Sequence, residues 1–174
     1  MEKNTLNQPK PIVLASSSDS RKKQLRRLDL PFQTMSPDID ETPLDNEDAD
    51  TLVHRLTIAK SRAVAPNFPA ALIISGDQTA SFEGDFLNKP GTRDRAIEQL
   101  SRLQGNRVEF ISGLCVLDST SGVSTYRAVH CDVKFRRLSS RQIETYIDLD
   151  TPFFCAGSFK CEAAGIALFE YIKS

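Results

Sequence analysis

Along this chain, short apolar runs alternate with apolar residues at helical spacing, an order that predicts an α/β fold. The run Ile12 to Ala15 predicts a strand, and a helix follows near 19–29 with Leu25 and Leu28 turned inward. Pro31, Pro37 and Pro43 then resist helix and predict a loop that carries the acidic cluster Asp38-Ile-Asp40-Glu41. From Asp48, the residues Ala49, Leu52, Val53, Leu56, Ala59 and Ala63 recur at helical spacing, and this helix ends before Pro66. Ala70 to Ser75 predicts a short buried strand that stops at Gly76-Asp77-Gln78. Glu83-Gly84-Asp85 reads as a turn, and Asn88-Lys89-Pro90-Gly91 as a loop before a helix capped by Thr92. Ala96, Ile97, Leu100 and Leu103 form the inner face of that helix, which Gly105-Asn106 ends. Val108 to Leu117 and Val123 to Phe135 predict a hairpin about Ser121-Gly122, and Ser139 with Gln142 forms a capping box for a helix reaching Asp148. No internal repeat or low-complexity linker interrupts the pattern.

Composition narrows the class. A length of 174 residues with 40% hydrophobic content suits one domain with a real core. The net charge of -1 supplies no field to attract a nucleic-acid polymer or an anionic membrane. The four cysteines, at 115, 131, 155 and 161, have neither zinc-site spacing nor the density of a disulfide framework, so reduced thiols in a cytoplasm are expected. The first ten residues are polar and lack the apolar core of a signal peptide, and no run is long enough to span a bilayer. The expectation is a soluble, cytoplasmic protein with a polar extension over 1–10.

Candidate chemistry begins where the first strand runs into hydroxyls. Ser16, Ser17 and Ser18 follow Ala15 directly, with Arg21 and Lys22 one turn into the next helix. Backbone amides, hydroxyls and cations gathered there outline a phosphate cradle. The plainer reading is an amphipathic helix capped by Ser18 with a solvated basic face. Asp77, placed by this reading at the carboxyl end of a strand, sits where α/β sheets put their ligands, and could orient an attacking water or hold a divalent cation. The plainer reading is an Asx-turn. Lys60 and Lys89 taken singly are surface lysines. Together with the serine turn, Arg21, Glu41 and Asp77 they make the set that phosphoanhydride hydrolysis requires. His54, His130 and Cys155 read as structural.

In order and spacing these segments resemble the Maf family of nucleoside triphosphate pyrophosphatases. The marks are Leu14-Ala-Ser-Ser-Ser18 with Arg21, Asp40-Glu41-Thr42, Lys60, Ser75-Gly-Asp77-Gln78, Asn88-Lys89-Pro90 and Cys155-Ala-Gly-Ser-Phe-Lys160, from about Ile12 to the end of the chain. Gln78 after the aspartate, together with Cys155-Ala-Gly-Ser-Phe-Lys160-Cys-Glu162, resembles the branch acting on 7-methyl-GTP rather than the one acting on dTTP and UTP. The resemblance implies an α/β fold with a mixed central sheet flanked by helices, in two lobes around a cleft, over residues 11–174. It implies a divalent cation, Mg2+ or Mn2+, a nucleoside triphosphate substrate and a homodimer. It makes Asp77 the proton acceptor and puts Glu41 and Asp77 nearest the metal. Ser18, Arg21, Lys22, Lys60, Lys89 and Lys160 would hold the triphosphate, and positions Ser20, Gln78 and Glu162 would set base choice.

The sequence departs from that branch at Ser20, where the resemblance implies a tryptophan stacked on the base, and at Asp19 and Lys22, in place of a proline and a second arginine. Phe159 or another ring would then have to meet a cationic 7-methylguanine. The chain also ends at Ser174 without the tail the resemblance implies. Two other readings stand beside 7-methyl-GTP hydrolysis: a pyrophosphatase of different or broader base choice, and a protein that binds nucleotide without hydrolysing it.

Overall fold

A computed structural model describes residues 10–174, so all but the last residue of the expected polar extension lies outside the described residues. In chain order the elements are β1 (Ile12–Ala15), α1 (Asp19–Arg26), β2 (Phe32–Met35), α2 (Ala49–Val64), β3 (Leu72–Phe82), β4 (Asp85–Phe86), α3 (Arg93–Leu103), β5 (Arg107–Asp118), β6 (Ser124–Phe135), α4 (Ser140–Asp150) and β7 (Phe169–Lys173). The strands form a seven-stranded mixed sheet in the order β2-β1-β3-β5-β6-β7, with β4 on β3. Strand β1 runs parallel to both β2 and β3, whereas β7 runs antiparallel to β6.

The described residues divide into two compact units, 10–77 with 112–128 and 78–111 with 129–174. The boundaries fall inside β3, β5 and β6. Unit 1 buries Val13, Ala15, Ile73 and Cys115 with Val64 of α2, and Ile12 and Leu14 with Leu25 of α1. Unit 2 is built around Phe135, fully buried with Leu100 and Leu103 of α3 and Ile143 and Ile147 of α4.

Local chemistry explains the helices. Ser18, Asp48, Thr92 and Ser139 each accept the backbone N–H three residues on, satisfying a donor that the first helical turn leaves unpaired. The capping box at Ser139 and Gln142 forms as expected.

Three expectations need correction. Residues 32–35, read as part of a proline-rich loop, are β2: Pro31 and Pro37 only bracket a short edge strand, where missing N–H groups are tolerated. Leu28 is 60% exposed, because α1 ends at Arg26 and the chain turns through Asp29 at φ 52°. Strand β3 does not stop at Gly76-Asp77-Gln78 but runs on to Phe82. Asp77 is therefore neither at a strand end nor in an Asx-turn. Gly76 is there for closeness rather than for a turn, since a Cβ on it would lie 2.8 Å from the carbonyl oxygen of Gly113.

Candidate active site

In unit 1 the register of β1 on β3 sets the serine turn beside Asp77. Leu14 pairs with Ile74, so the serine turn that follows β1 emerges level with Gly76 and Asp77. Within the turn, Ser16 Oγ accepts the N–H of Ser18 at 3.1 Å and Ser18 Oγ accepts that of Arg21 at 3.4 Å. The Arg21 side chain then crosses to β3, its Nε 3.7 Å from where a Cβ on Gly76 would sit. Lys22 instead turns back on Asp19 at 3.3 Å, and Ser20 is exposed.

Lys60 is the surprise of this unit. Ala63 of the expected inner face of α2 is exposed, and the buried stripe is Leu52, Val53, Leu56, Thr57, Lys60, Ser61 and Val64. Lys60 thus lies in the core-facing stripe, its side chain 5% exposed. Its ammonium donates to Asp77 Oδ1 at 2.6 Å and pairs with Glu41 Oε1 at 2.9 Å. Asp77 is nearly as enclosed, whereas Glu41 is more than half exposed and opens the cluster to solvent. Lysine and aspartate are rarely buried unless paired, and a buried ion pair by itself is weak evidence for stability. Among the described residues no group of three or more His, Cys, Asp or Glu is gathered for a metal. Two carboxylates converging on one cationic position nonetheless fit a magnesium-type ion, which takes one or two carboxylates and draws its remaining oxygens from phosphate and water.

Sequence reasoning missed Arg55 and Glu47, which hold the segment that carries Glu41. Arg55 of α2 holds the Glu47 carboxylate with Nε and Nη2, each at 2.7 Å, and its Nη2 also donates to the Thr42 carbonyl at 3.0 Å. Glu47 in turn accepts the N–H of Leu44, and Asp40 accepts that of Thr42. The guanidinium holds the Glu47 carboxyl down at about 2, while its own affinity for the proton is raised by Glu47 first and further by Asp40 and Asp77. No spacing signals this pairing, because Glu47 precedes the helix that carries Arg55.

In unit 2 the chain gathers Lys89, Lys160 and Glu162 about the segment 152–162. The loop after Lys89 is tied to it by Gly91 N–H donating to the Phe153 carbonyl at 2.8 Å. Burial pushes the Cys155 thiol up, and the charges of Lys160, Glu162 and Lys89 all reach it. Gly157 and Ser158 both have left-handed backbones, at φ 74° and 59°, the second costly for a non-glycine. Side-chain anchors hold that shape: Ser158 Oγ donates to Gln99 Oε1, and Lys160 N–H donates to the Tyr146 hydroxyl at 2.9 Å. Lys160 Nζ donates to the Asp150 carbonyl at 2.6 Å, so its ammonium caps α4. Phe159 makes edge contacts with Phe110, Phe135 and Phe169 and belongs to the core of unit 2. Phe154, which sequence reasoning did not single out, is 79% exposed beside Cys155. Gln78 and Glu162 are exposed as well.

His54 meets the Tyr126 ring edge-on at 4.6 Å, and His130 Nδ1 lies 3.1 Å from Glu109 Oε1. No helix among the described residues is long and apolar enough to cross a membrane.

A family model described as Maf-like protein matches residues 11–174. The 7-methyl-GTP pyrophosphatase of Nitrosospira multiformis is 47% identical over 162 residues, covering 93% of this chain and 82% of that protein. Its counterpart in Pseudomonas aeruginosa is 44% identical over 158 residues, covering 91% and 82%. Among solved structures, the Ham1 protein of Staphylococcus aureus superposes with a TM-score of 0.52 at 16% identity over 72% of each chain, a likeness of fold. With the family match running from the start of β1 to the last residue, and the relatives aligned over most of their length, the chain belongs to the Maf family.

Proposed function

We propose that this chain hydrolyses the α–β phosphoanhydride of a nucleoside triphosphate, releasing the monophosphate and pyrophosphate, with 7-methyl-GTP as its substrate. The observation that carries the reading is the Lys60 ammonium held between the Asp77 and Glu41 carboxylates. The names and 42–47% identities of the relatives support the substrate.

In this account the Asp77 carboxylate accepts a proton from a water whose oxygen attacks the α-phosphorus, and the bond to the β-phosphate oxygen breaks to release pyrophosphate. Lys60 fixes the orientation of Asp77 and balances its charge. Arg21, over Gly76, offers a fork of donors to phosphate oxygens, and Ser18 closes the turn from which it projects. Lys22 is assigned a secondary part, since a lysine lacks that fork and this one is shared with Asp19. Glu41 and Asp77 would hold the divalent cation. Such an ion, when bound, neutralises phosphate charge and lowers the pKa of a bound water.

Lys89 and Lys160 are assigned to the triphosphate as well. Lys160 would have to exchange the Asp150 carbonyl for a phosphate oxygen, so Lys89 carries the larger share. Gln78 and Glu162 are assigned to the base. The positive charge of 7-methylguanine favours a carboxylate partner, and Ser20 cannot stack on it. With Phe159 committed to the core, the exposed Phe154 ring is assigned the cation–π contact, worth about 0.5–2 kcal/mol. A soluble enzyme working in the cytoplasm is part of the same reading.

The test is release of pyrophosphate from 7-methyl-GTP, GTP, dTTP and UTP with Mg2+ or Mn2+. Turnover highest for the methylated nucleotide is expected. Equal turnover of all four would leave a pyrophosphatase of broad base choice, and nucleotide binding with no pyrophosphate released would end the hydrolase reading.

A further inference from the structure

The acidic segment that supplies Glu41 is half of the candidate metal site, yet it is neither helix nor strand: between β2 and α2 the chain has no ladder to hold it. A carboxylate on such a segment can meet Lys60 reproducibly only if something outside the segment fixes its path. Besides Lys60, which meets Glu41 itself, Arg55 is an α2 side chain that does so. It projects from the helix that also carries Lys60, and it grips the segment twice on the C-terminal side of Glu41. One grip is the Thr42 carbonyl, on the residue immediately after Glu41. The other is the paired bond to Glu47, whose side chain is 3% exposed. The Glu47 carboxylate closes the segment from inside by accepting the Leu44 N–H at 3.0 Å, and the Asp40 carboxylate fixes the other side of Glu41 by accepting the Thr42 N–H at 2.9 Å. Thr42, immediately after Glu41, therefore has both its backbone N–H and its carbonyl engaged, and Asp40, immediately before Glu41, is tied to Thr42 through its side chain.

We infer that Arg55 and Glu47 are positioning residues for the reaction: their bidentate pair sets the acidic segment so that the Glu41 carboxylate meets Lys60 and Asp77. This rests on the reading of Glu41 as a metal-facing carboxylate given above. The geometry explains why the cation here should be an arginine. A single ammonium could hold the Glu47 carboxylate, but not the carboxylate and the Thr42 carbonyl together in a fixed plane. Residues that orient a ligating carboxylate without touching the ion typically change metal affinity or activity by about 10- to 100-fold when removed.

The experiment is a double-mutant cycle between Arg55→Gln and Glu41→Gln in the full chain, read in three ways. The first is kcat and KM for 7-methyl-GTP. The second is the Kd of Mn2+ alone, measured by electron paramagnetic resonance without nucleotide. The third is amide exchange of residues 40–47. In the native background, Arg55→Gln is expected to lower kcat and weaken Mn2+ binding by roughly 10- to 100-fold, with KM little changed, and to speed exchange of the segment. In the Glu41→Gln background it should cost almost nothing more, because the group it positions is already gone. The reciprocal pair Arg55→Glu with Glu47→Arg should recover part of the loss, and Arg55→Lys should fall between. Equal losses in both backgrounds, or Arg55→Gln leaving Mn2+ affinity and kcat unchanged, would overturn the inference. If Arg55→Gln failed to fold, the same cycle run with Arg55→Lys decides. Should the native chain release no pyrophosphate from any nucleotide, the proposed function fails, while the Mn2+ and exchange readings still judge the clamp.

Discussion

A single position on β3 shows how little room the site leaves. Gly76 lies between the backbone of β5 and the Arg21 side chain, and the methyl group of an alanine there would meet the Gly113 carbonyl oxygen at 2.8 Å, a contact only a strand shift could relieve. Gly76→Ala is expected to destabilise the fold by about 1–3 kcal/mol and to displace Asp77 and Arg21 together. Thermal unfolding would read the first effect, and a fall in kcat larger than the stability loss explains would read the second. An alanine variant as stable and active as the native chain would show that the strands are not pressed together here. This close approach was not legible in the sequence, where Gly76-Asp77-Gln78 has the letters of a turn. Letters give the conformational freedom of a glycine but not which backbone lies across from it. Lys60 was half legible. Its position, three residues after Thr57 and four before Val64, puts it in the buried stripe of α2. The alanines at 59 and 63 pulled the sequence reading round to a more exposed face, because small residues are cheap on either side of a helix.

At the level of elements, the helices announced themselves and the strands did so unevenly. Ser18, Asp48, Thr92 and Ser139 cap where their letters say they should, since a cap is a local hydrogen bond that needs nothing from the rest of the chain. Strand β2 and the second half of β3 were missed because pairing with a neighbour, rather than local preference, makes them strands. The acidic segment belongs to this scale too, and its fixation carries a pH signature. The Glu47 carboxyl, held by Arg55, titrates at about 2 rather than its ordinary 4.5. A carboxyl lowered in the folded state contributes its stabilisation in full above its ordinary value and loses it as the pH falls toward the lowered one. The clamp should therefore be complete at neutral pH and come apart between about 4.5 and about 2. A carboxyl-carbon NMR titration of Glu47 is expected to show a midpoint near 2 in the native chain and a return toward 4.5 in Arg55→Gln. An ordinary midpoint in the native chain would mean the pair does not persist in solution.

On the scale of the whole molecule, the α/β class and the order of the four helices followed from patterning, whereas strands β2, β4 and β7 and the gathering of chemistry did not. Nothing in the spacing of Glu41, Lys60 and Asp77 says that they meet. They meet because α2 turns its one buried lysine toward β3, where its ammonium reaches Asp77, and because the segment between β2 and α2 brings Glu41 to the same ammonium. The central claim is that this convergence exists to abstract a proton from water at a phosphoanhydride, and replacing the acceptor tests it most directly. Asp77→Asn keeps the shape of the side chain and an oxygen for Lys60 but removes the base. Measured by pyrophosphate released from 7-methyl-GTP at saturating Mg2+, its kcat is expected to fall by about 10²- to 10⁴-fold, with the fold intact by circular dichroism. A folded Asp77→Asn protein that releases pyrophosphate at the native rate would contradict the account.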